Sequence, residues 1–193
     1  EYLDSWLRKN PYIYNFQMEV TSKCNERCIH CYIPHEKKNS DIDKAFAIDV
    51  IEQCAEMGVI SITFSGGEAT LYSDLPQLLE HARRKDLSIS LLSNLTNVSD
   101  ELLQSIKKTN LSLIQVSLYS MNPSEHDAIT KLPGSHKKTL STIEKLLTED
   151  IPVQISCPVM RINLNSYKEV LEWAYRHRIK AYTDFIMMAR TDF

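Results

Sequence analysis

Glycine is scarce in this chain, with only 4 among 193 residues, so any pair of adjacent glycines stands out. No apolar run approaches the roughly 18 residues that a membrane-spanning helix needs, which excludes an integral helical membrane protein. Excess positive charge is absent too. Lys and Arg total 22 against 25 Asp and Glu, a net charge of -3, and nothing points to a nucleic-acid groove. The opening residues, Glu1-Tyr2-Leu3-Asp4, carry neither the basic nor the apolar segment of a secretory signal, and no initiator Met. Internal repeats and low-complexity tracts are missing. With 43% hydrophobic and 24% charged residues, the chain reads as about one globular domain. We expect a cytoplasmic protein with neither nucleic-acid nor membrane partners.

What is present begins with five cysteines: Cys24, Cys28, Cys31, Cys54 and Cys157. An odd number without a secretion signal argues against a disulfide framework. Three crowd into one short loop, an arrangement that in a reducing compartment indicates metal binding or redox chemistry.

Hydrophobic patterning predicts alternating strands and helices. Strands are expected over 16–21, 59–64, 87–92, 112–118, 153–159 and 181–188. Helices are expected over 43–57, 75–85, 99–108, 136–147 and 166–176, with Ser99 as an N-cap and Gly58 as a C-terminal stop. The first helix places Phe46, Val50, Cys54 and Met57 on one face. Such alternation implies right-handed βαβ units and a parallel sheet.

Parallel strands are ordinarily apolar on both faces. Here one face is polar: Gln17, Glu19 and Thr21, then Ser61, Thr63 and Ser65, then Ser88 and Ser90, then Gln115 and Ser117, then Gln154 and Ser156. The other carries Met18 and Val20, Ile60, Ile62 and Phe64, Ile114, Val116 and Leu118, and Val153 and Ile155. Helices are expected over the apolar faces, and a polar interior suggests a wide or incomplete barrel around an occupied cavity. A sheet with one wet face is the alternative. The fold class expected is α/β: a partial (β/α)6 TIM-type barrel with parallel strands, its C-terminal part truncated or missing. Residues 1–15 form a lead-in segment and 16–193 the core domain. An apolar edge is expected near Phe185 to Met188.

The loop Cys24-Asn25-Glu26-Arg27-Cys28-Ile29-His30-Cys31 follows the first strand, where active-site loops of βα barrels lie. Three thiolates so spaced can wrap one ion or cluster. Structural zinc wants four protein ligands, and His35 or His30 is available as a fourth. An iron–sulfur cluster normally takes four cysteines, so three leave one iron open to a ligand from outside the protein. Cys54 and Cys157 read as core residues, since free cysteine behaves as a small hydrophobe.

After the second strand comes Ser65-Gly66-Gly67-Glu68. Its glycines permit a sharp turn and close approach of a ligand. Its carbonyls and the Glu68 carboxylate can accept hydrogen bonds from an ammonium group. A plain strand-to-helix turn is the alternative. Ser93 and Asn94 end the third strand and Ser117 the fourth, on the same face, and suit ribose or carboxylate contacts.

These motifs together resemble the radical S-adenosylmethionine superfamily, in the same order along the βα units. The stretches Cys24 to Tyr32, Val116-Ser117-Leu118 and Glu125-His126-Asp127 are similar to its SPASM group, whose members modify ribosomal peptides or mature small cofactors. The resemblance implies that Cys24, Cys28 and Cys31 hold a [4Fe-4S] cluster whose open iron binds S-adenosylmethionine. It implies reductive cleavage to a 5′-deoxyadenosyl radical that takes hydrogen from a substrate. It implies that Gly66, Gly67 and Glu68 face the methionine amino group. Ser93, Asn94 and Ser117 would contact ribose or carboxylate, and His30 would sit beside the adenine. The substrate implied is a ribosomally made peptide or, alternatively, a small cofactor such as a quinone or tetrapyrrole. The partner implied is a one-electron reductant such as a flavodoxin or ferredoxin. A zinc-stabilised, non-catalytic binding module is the competing class. Three positions depart from the family pattern. His30 stands where an aromatic residue is usual, and Ala69 where proline is frequent. Thr130 and Lys131 occupy the neighbourhood of an arginine that holds the cofactor carboxylate, so Lys131 is the cation available there, without arginine's bidentate fork.

Overall fold

Six short runs of alternating apolar and polar residues build one sheet: β1 (Asn15–Thr21), β2 (Ser61–Gly66), β3 (Ser88–Ser93), β4 (Leu113–Ser117), β5 (Val153–Ser156) and β6 (Lys180–Tyr182). The structure, a computed structural model, describes residues 12–34, 36 and 39–184. Every neighbouring pair is parallel, and strand order in the sheet follows order in the chain. The connections carry α1 (Lys44–Glu56), α2 (Leu75–Arg84), α3 (Asp100–Thr109), α4 (Pro123–Thr130), α5 (Ser135–Thr148) and α6 (Tyr167–Arg176). Among the described residues β1 and β6 are the sheet's two edges, so there the βα barrel is partial and open, as the patterning predicts.

The core lies between the sheet and its helices. Val20, Ile62, Phe64, Ile89, Leu91, Ile114, Val116 and Ile155 are fully buried on the helix-covered face. Thr63, Ser90, Gln115 and Gln154 on the other face are only half-buried. Two expected caps are present. The Ser99 side chain accepts from Leu102 N, and Gly58 ends α1 with φ +84°.

Four expectations need correction. The stripe of α1 that meets the sheet is Ala47 and Ile51, both fully buried. Phe46 and Met57 on the larger-residue stripe remain 58% and 57% exposed. Small Ala47 lets the helix sit close to the sheet, which turns the neighbouring stripe outward. Ile60 is 62% exposed because β2 begins after it, and its N–H donates to the Tyr14 carbonyl at the sheet's rim. Between β4 and β5 the chain forms a helix with no expected counterpart, α4. Asn122 caps it by accepting from Ser124 N, and Pro123 starts it. β5 ends at Ser156, although Cys157 N and Val159 N still donate to the Tyr182 and Asp184 carbonyls. The expected edge at Phe185 to Met188 lies outside the described residues.

Candidate cofactor site

At the carboxyl ends of β1 to β4 lies a cleft of about 270 Å³. Cys24, Cys28, Cys31, His30, Gly66, Gly67, Glu68, Ser93, Asn94 and Ser117 all line it. The parallel sheet brings them together, because every strand discharges its following loop on the same side. Lys131 is not brought there. It is exposed and caps α4 in the left-handed conformation, with φ 58°.

The cysteine loop is held from two sides. Arg27 N donates to the Thr130 carbonyl at 2.9 Å and Ile29 N to the Ile129 carbonyl at 3.0 Å, so α4 supports the loop's outer limb. At its root, Gly67 N and Glu68 N donate to the carbonyls of Thr21 and Lys23, both at 2.8 Å. Within the loop, Cys28 Sγ donates to Glu26 Oε2 at 3.2 Å, and Glu26 N donates to Cys24 Sγ at 3.4 Å. Burial, then the Glu26 carboxylate, push the Cys28 thiol well above its ordinary range, and Cys24 and Cys31 push in the same direction. Three thiols thus sit within electrostatic reach of one another. Three soft sulfur donors lining one cleft fit an iron–sulfur cluster.

The glycine turn has a packing reason for its composition. A Cβ on Gly66, where φ is +143°, would fall 2.1 Å from the Thr21 carbonyl oxygen. One on Gly67 would fall 2.4 Å from that of Lys23. Both glycines therefore let the turn lie against the backbone that leads into the cysteines. Glu68 is 1% exposed. Its Oε1 accepts from Thr70 N (3.0 Å), Thr70 Oγ1 (2.7 Å) and Ser93 Oγ (2.6 Å), and its Oε2 from Asn94 N (2.7 Å). A carboxylate offers about four lone-pair sites, so these bonds nearly saturate it. Ser93 Oγ also accepts from Leu95 N. Glu68, Ser93 and Asn94 thus tie β2 to β3 beneath the cleft, and Ser117 remains on its wall.

Sequence reasoning passed over several residues that build the site. Asn25, inside the cysteine motif, accepts from Asn94 Nδ2 at 2.9 Å and donates to Thr96 Oγ1 at 2.7 Å. Tyr119, two residues past β4, lines the cleft, and burial pushes its phenol well above the ordinary range. Its ring packs edge-on against His30, with centroids 4.9 Å apart. Its N–H donates to His126 Nδ1 at 3.3 Å. Asp127 accepts from Gly134 N, Ser135 Oγ and His136 N, and so joins α4 to the start of α5. The Asn122-Pro123 pair, a helix-start signal, marks the segment carrying them. Cys157 is fully buried, as expected, and donates to the Tyr119 carbonyl. Burial, with Glu125 second, pushes its thiol up to about 12. Cys54 is half-buried on α1.

Fold and site together define a partial parallel βα barrel with a thiol-lined candidate cofactor cleft at the carboxyl ends of its strands. A family profile, the Radical SAM superfamily, matches residues 18–174, and the chain belongs to that superfamily. The family's [4Fe-4S] cluster and S-adenosylmethionine replace the zinc alternative. Among curated relatives, an AdoMet-dependent heme synthase of Methanosarcina barkeri is 27% identical over 88% of this chain and 49% of its own length. A probable GTP 3′,8-cyclase of Methanococcus maripaludis is 29% identical over 83% and 55%. A PqqA peptide cyclase of Gluconobacter oxydans is 28% identical over 81% and 44%. The chain thus spans about half the length of these relatives. Among solved structures, Streptococcus suis SuiB bound to precursor peptide SuiA superimposes with a TM-score of 0.80 at 13% identity, covering 93% of this chain and 41% of that one. This likeness is one of fold.

Proposed function

We propose that this chain is the cofactor-binding part of a radical S-adenosylmethionine enzyme that modifies a ribosomally made peptide. The observation that carries the reading is the thiol-lined cleft lying beside the polar face of the sheet. Gln17 lines the cleft, and Gln115 and Gln154 join on that face through a side-chain hydrogen bond of 3.2 Å. Amides so placed can pair with the backbone of an extended chain. A relative named PqqA peptide cyclase favours the same reading.

When bound, the cluster and S-adenosylmethionine supply an electron and a carbon-centred radical able to remove hydrogen from an unactivated position. The chain's own residues bind and orient. Cys24, Cys28 and Cys31 would hold the cluster, and the Glu26 carboxylate, which accepts from Cys28 Sγ, stands beside them. The turn at Gly66 to Glu68 offers backbone carbonyls to the amino group of S-adenosylmethionine, with Glu68 holding the turn from beneath. Ser117 would contact ribose or carboxylate, and His30, against whose ring Tyr119 packs, would sit beside the adenine. A one-electron donor of the flavodoxin or ferredoxin kind completes the reading.

Relatives named for heme synthesis and GTP cyclisation support a second reading, a small cofactor precursor. Anaerobic incubation with S-adenosylmethionine, a reductant and, in separate arms, a deuterated candidate peptide and a tetrapyrrole or nucleotide precursor decides between them. Deuterium in 5′-deoxyadenosine, with a mass change in the peptide, is expected. Cleavage that only a tetrapyrrole or nucleotide precursor accelerates would remove the peptide reading.

A further inference from the structure

The side chain of Asn25 is joined to no other part of its own loop by the bonds described above. Its amide bridges instead to the end of β3. Oδ1 accepts from Asn94 Nδ2 (2.9 Å) and Nδ2 donates to Thr96 Oγ1 (2.7 Å). Asn94 Oδ1 in turn accepts from Thr96 N (2.9 Å) and Thr96 Oγ1 (2.7 Å), which closes a ring of amide and hydroxyl groups. Two further bonds anchor the ring: Asn94 N donates to Glu68 Oε2 (2.7 Å), and the Asn94 carbonyl accepts from Thr139 Oγ1 (2.8 Å). Asn94, Thr96, Thr139 and Glu68 are all buried and Asn25 is half-buried, so the bonds on the β3 side of the ring are shielded from water.

We propose that Asn25 is a positioning residue whose amide ring with Asn94 and Thr96 locks the cysteine loop to the Gly66–Glu68 turn, giving the cluster ligands and the cofactor-binding turn one relative placement. The proposal rests on the reading that these two segments hold the cofactors. Three thiols on a short loop can capture iron over a range of loop positions. Simultaneous contact of one small molecule with the cluster and with the turn tolerates far less displacement. Asn25 therefore governs S-adenosylmethionine binding more than cluster binding.

The test uses Asn25→Ala, Thr96→Val, their double variant and Asn25→Asp. In metal-free protein, hydrogen exchange at the Gly67 and Glu68 amides, which bond to the loop's root, is expected to rise about tenfold in either single variant, the equivalent of one lost hydrogen bond. In anaerobically reconstituted protein, iron content should match the parent. The S-adenosylmethionine dissociation constant, followed by the electron paramagnetic resonance signal of the reduced cluster, should rise about tenfold. The double variant should be no worse than the weaker single, because both break one ring. Asn25→Asp, which keeps the acceptor for Asn94, should recover part of the affinity. Unchanged exchange at Gly67 and Glu68, iron loss in step with affinity, or effects that multiply would overturn the proposal. Failure of iron-loaded parent protein to bind S-adenosylmethionine would instead overturn the cofactor-site reading, and the exchange result would still judge the ring.

Discussion

Gly67, Glu68 and the cysteines separate packing from ligand binding at the scale of single residues. A methyl group on Gly67 meets two backbone oxygens, those of Ser22 and Lys23, at 2.5 and 2.4 Å, and neither can move without shifting the cysteine loop. Gly67→Ala should therefore lower stability by about 1–3 kcal/mol in metal-free protein, measured by urea denaturation. Glu68→Gln places an amide donor among four donors that the carboxylate now satisfies. It should cost about 1–3 kcal/mol before any cofactor is added, and a variant as stable as the parent would show that the four bonds carry little. Single replacement of Cys24, Cys28 or Cys31 by Ala should abolish cluster loading, read as iron and sulfide content. Cys157→Ala should keep the cluster and cost about 1–3 kcal/mol of packing.

At the scale of elements, α4 is the support of the cysteine loop, and its own placement depends on buried polar groups. His126 is 1% exposed, and burial, with the charge on His136 second, holds its pKa down at about 4. Its Nδ1 accepts from Tyr119 N, which requires the neutral ring. A histidine whose folded pKa lies below its unfolded value binds more protons unfolded, so stability is lost as pH falls from about 6.5 towards about 4. At pH 5 the loss relative to pH 7.5 should be about 2 kcal/mol from this group. His136, also lowered by burial, adds in the same direction. Urea midpoints at the two pH values measure the loss, and His126→Gln should flatten the difference.

On the scale of the whole molecule, the sheet is open between β1 and β6, and no described helix is long and apolar enough to cross a membrane. The cleft joins residues from four successive strand ends, so a ligand seated in it cross-links elements distant in sequence. S-adenosylmethionine at about a hundred times its dissociation constant should stabilise cluster-loaded protein by about 2.7 kcal/mol. Calorimetry should show the gain in the loaded parent and none in Cys28→Ala. Equal gains in both would place the binding outside the cysteine cleft.

By itself, the sequence determined the order of the strands and of every described helix but α4, the polar and apolar faces of the sheet, and the three thiols and the glycine turn that mark the candidate cofactor site. These are local features: side-chain period, caps such as Ser99, and residue types that only a few chemistries use. Tertiary structure decided what each marked residue touches. It turned Phe46 outward, because the neighbouring stripe with small Ala47 packs more closely on the sheet. It committed the Glu68 carboxylate to four donors, two of them from β3 and the residue after it. It left Lys131 outside the cleft and brought in Asn25 and Tyr119, whose partners lie 69 and 71 positions away for Asn25 and on α4 for Tyr119. A hydrogen bond across such a separation leaves no period or spacing in the chain, because it depends on how the strand ends converge and not on what precedes or follows the residue.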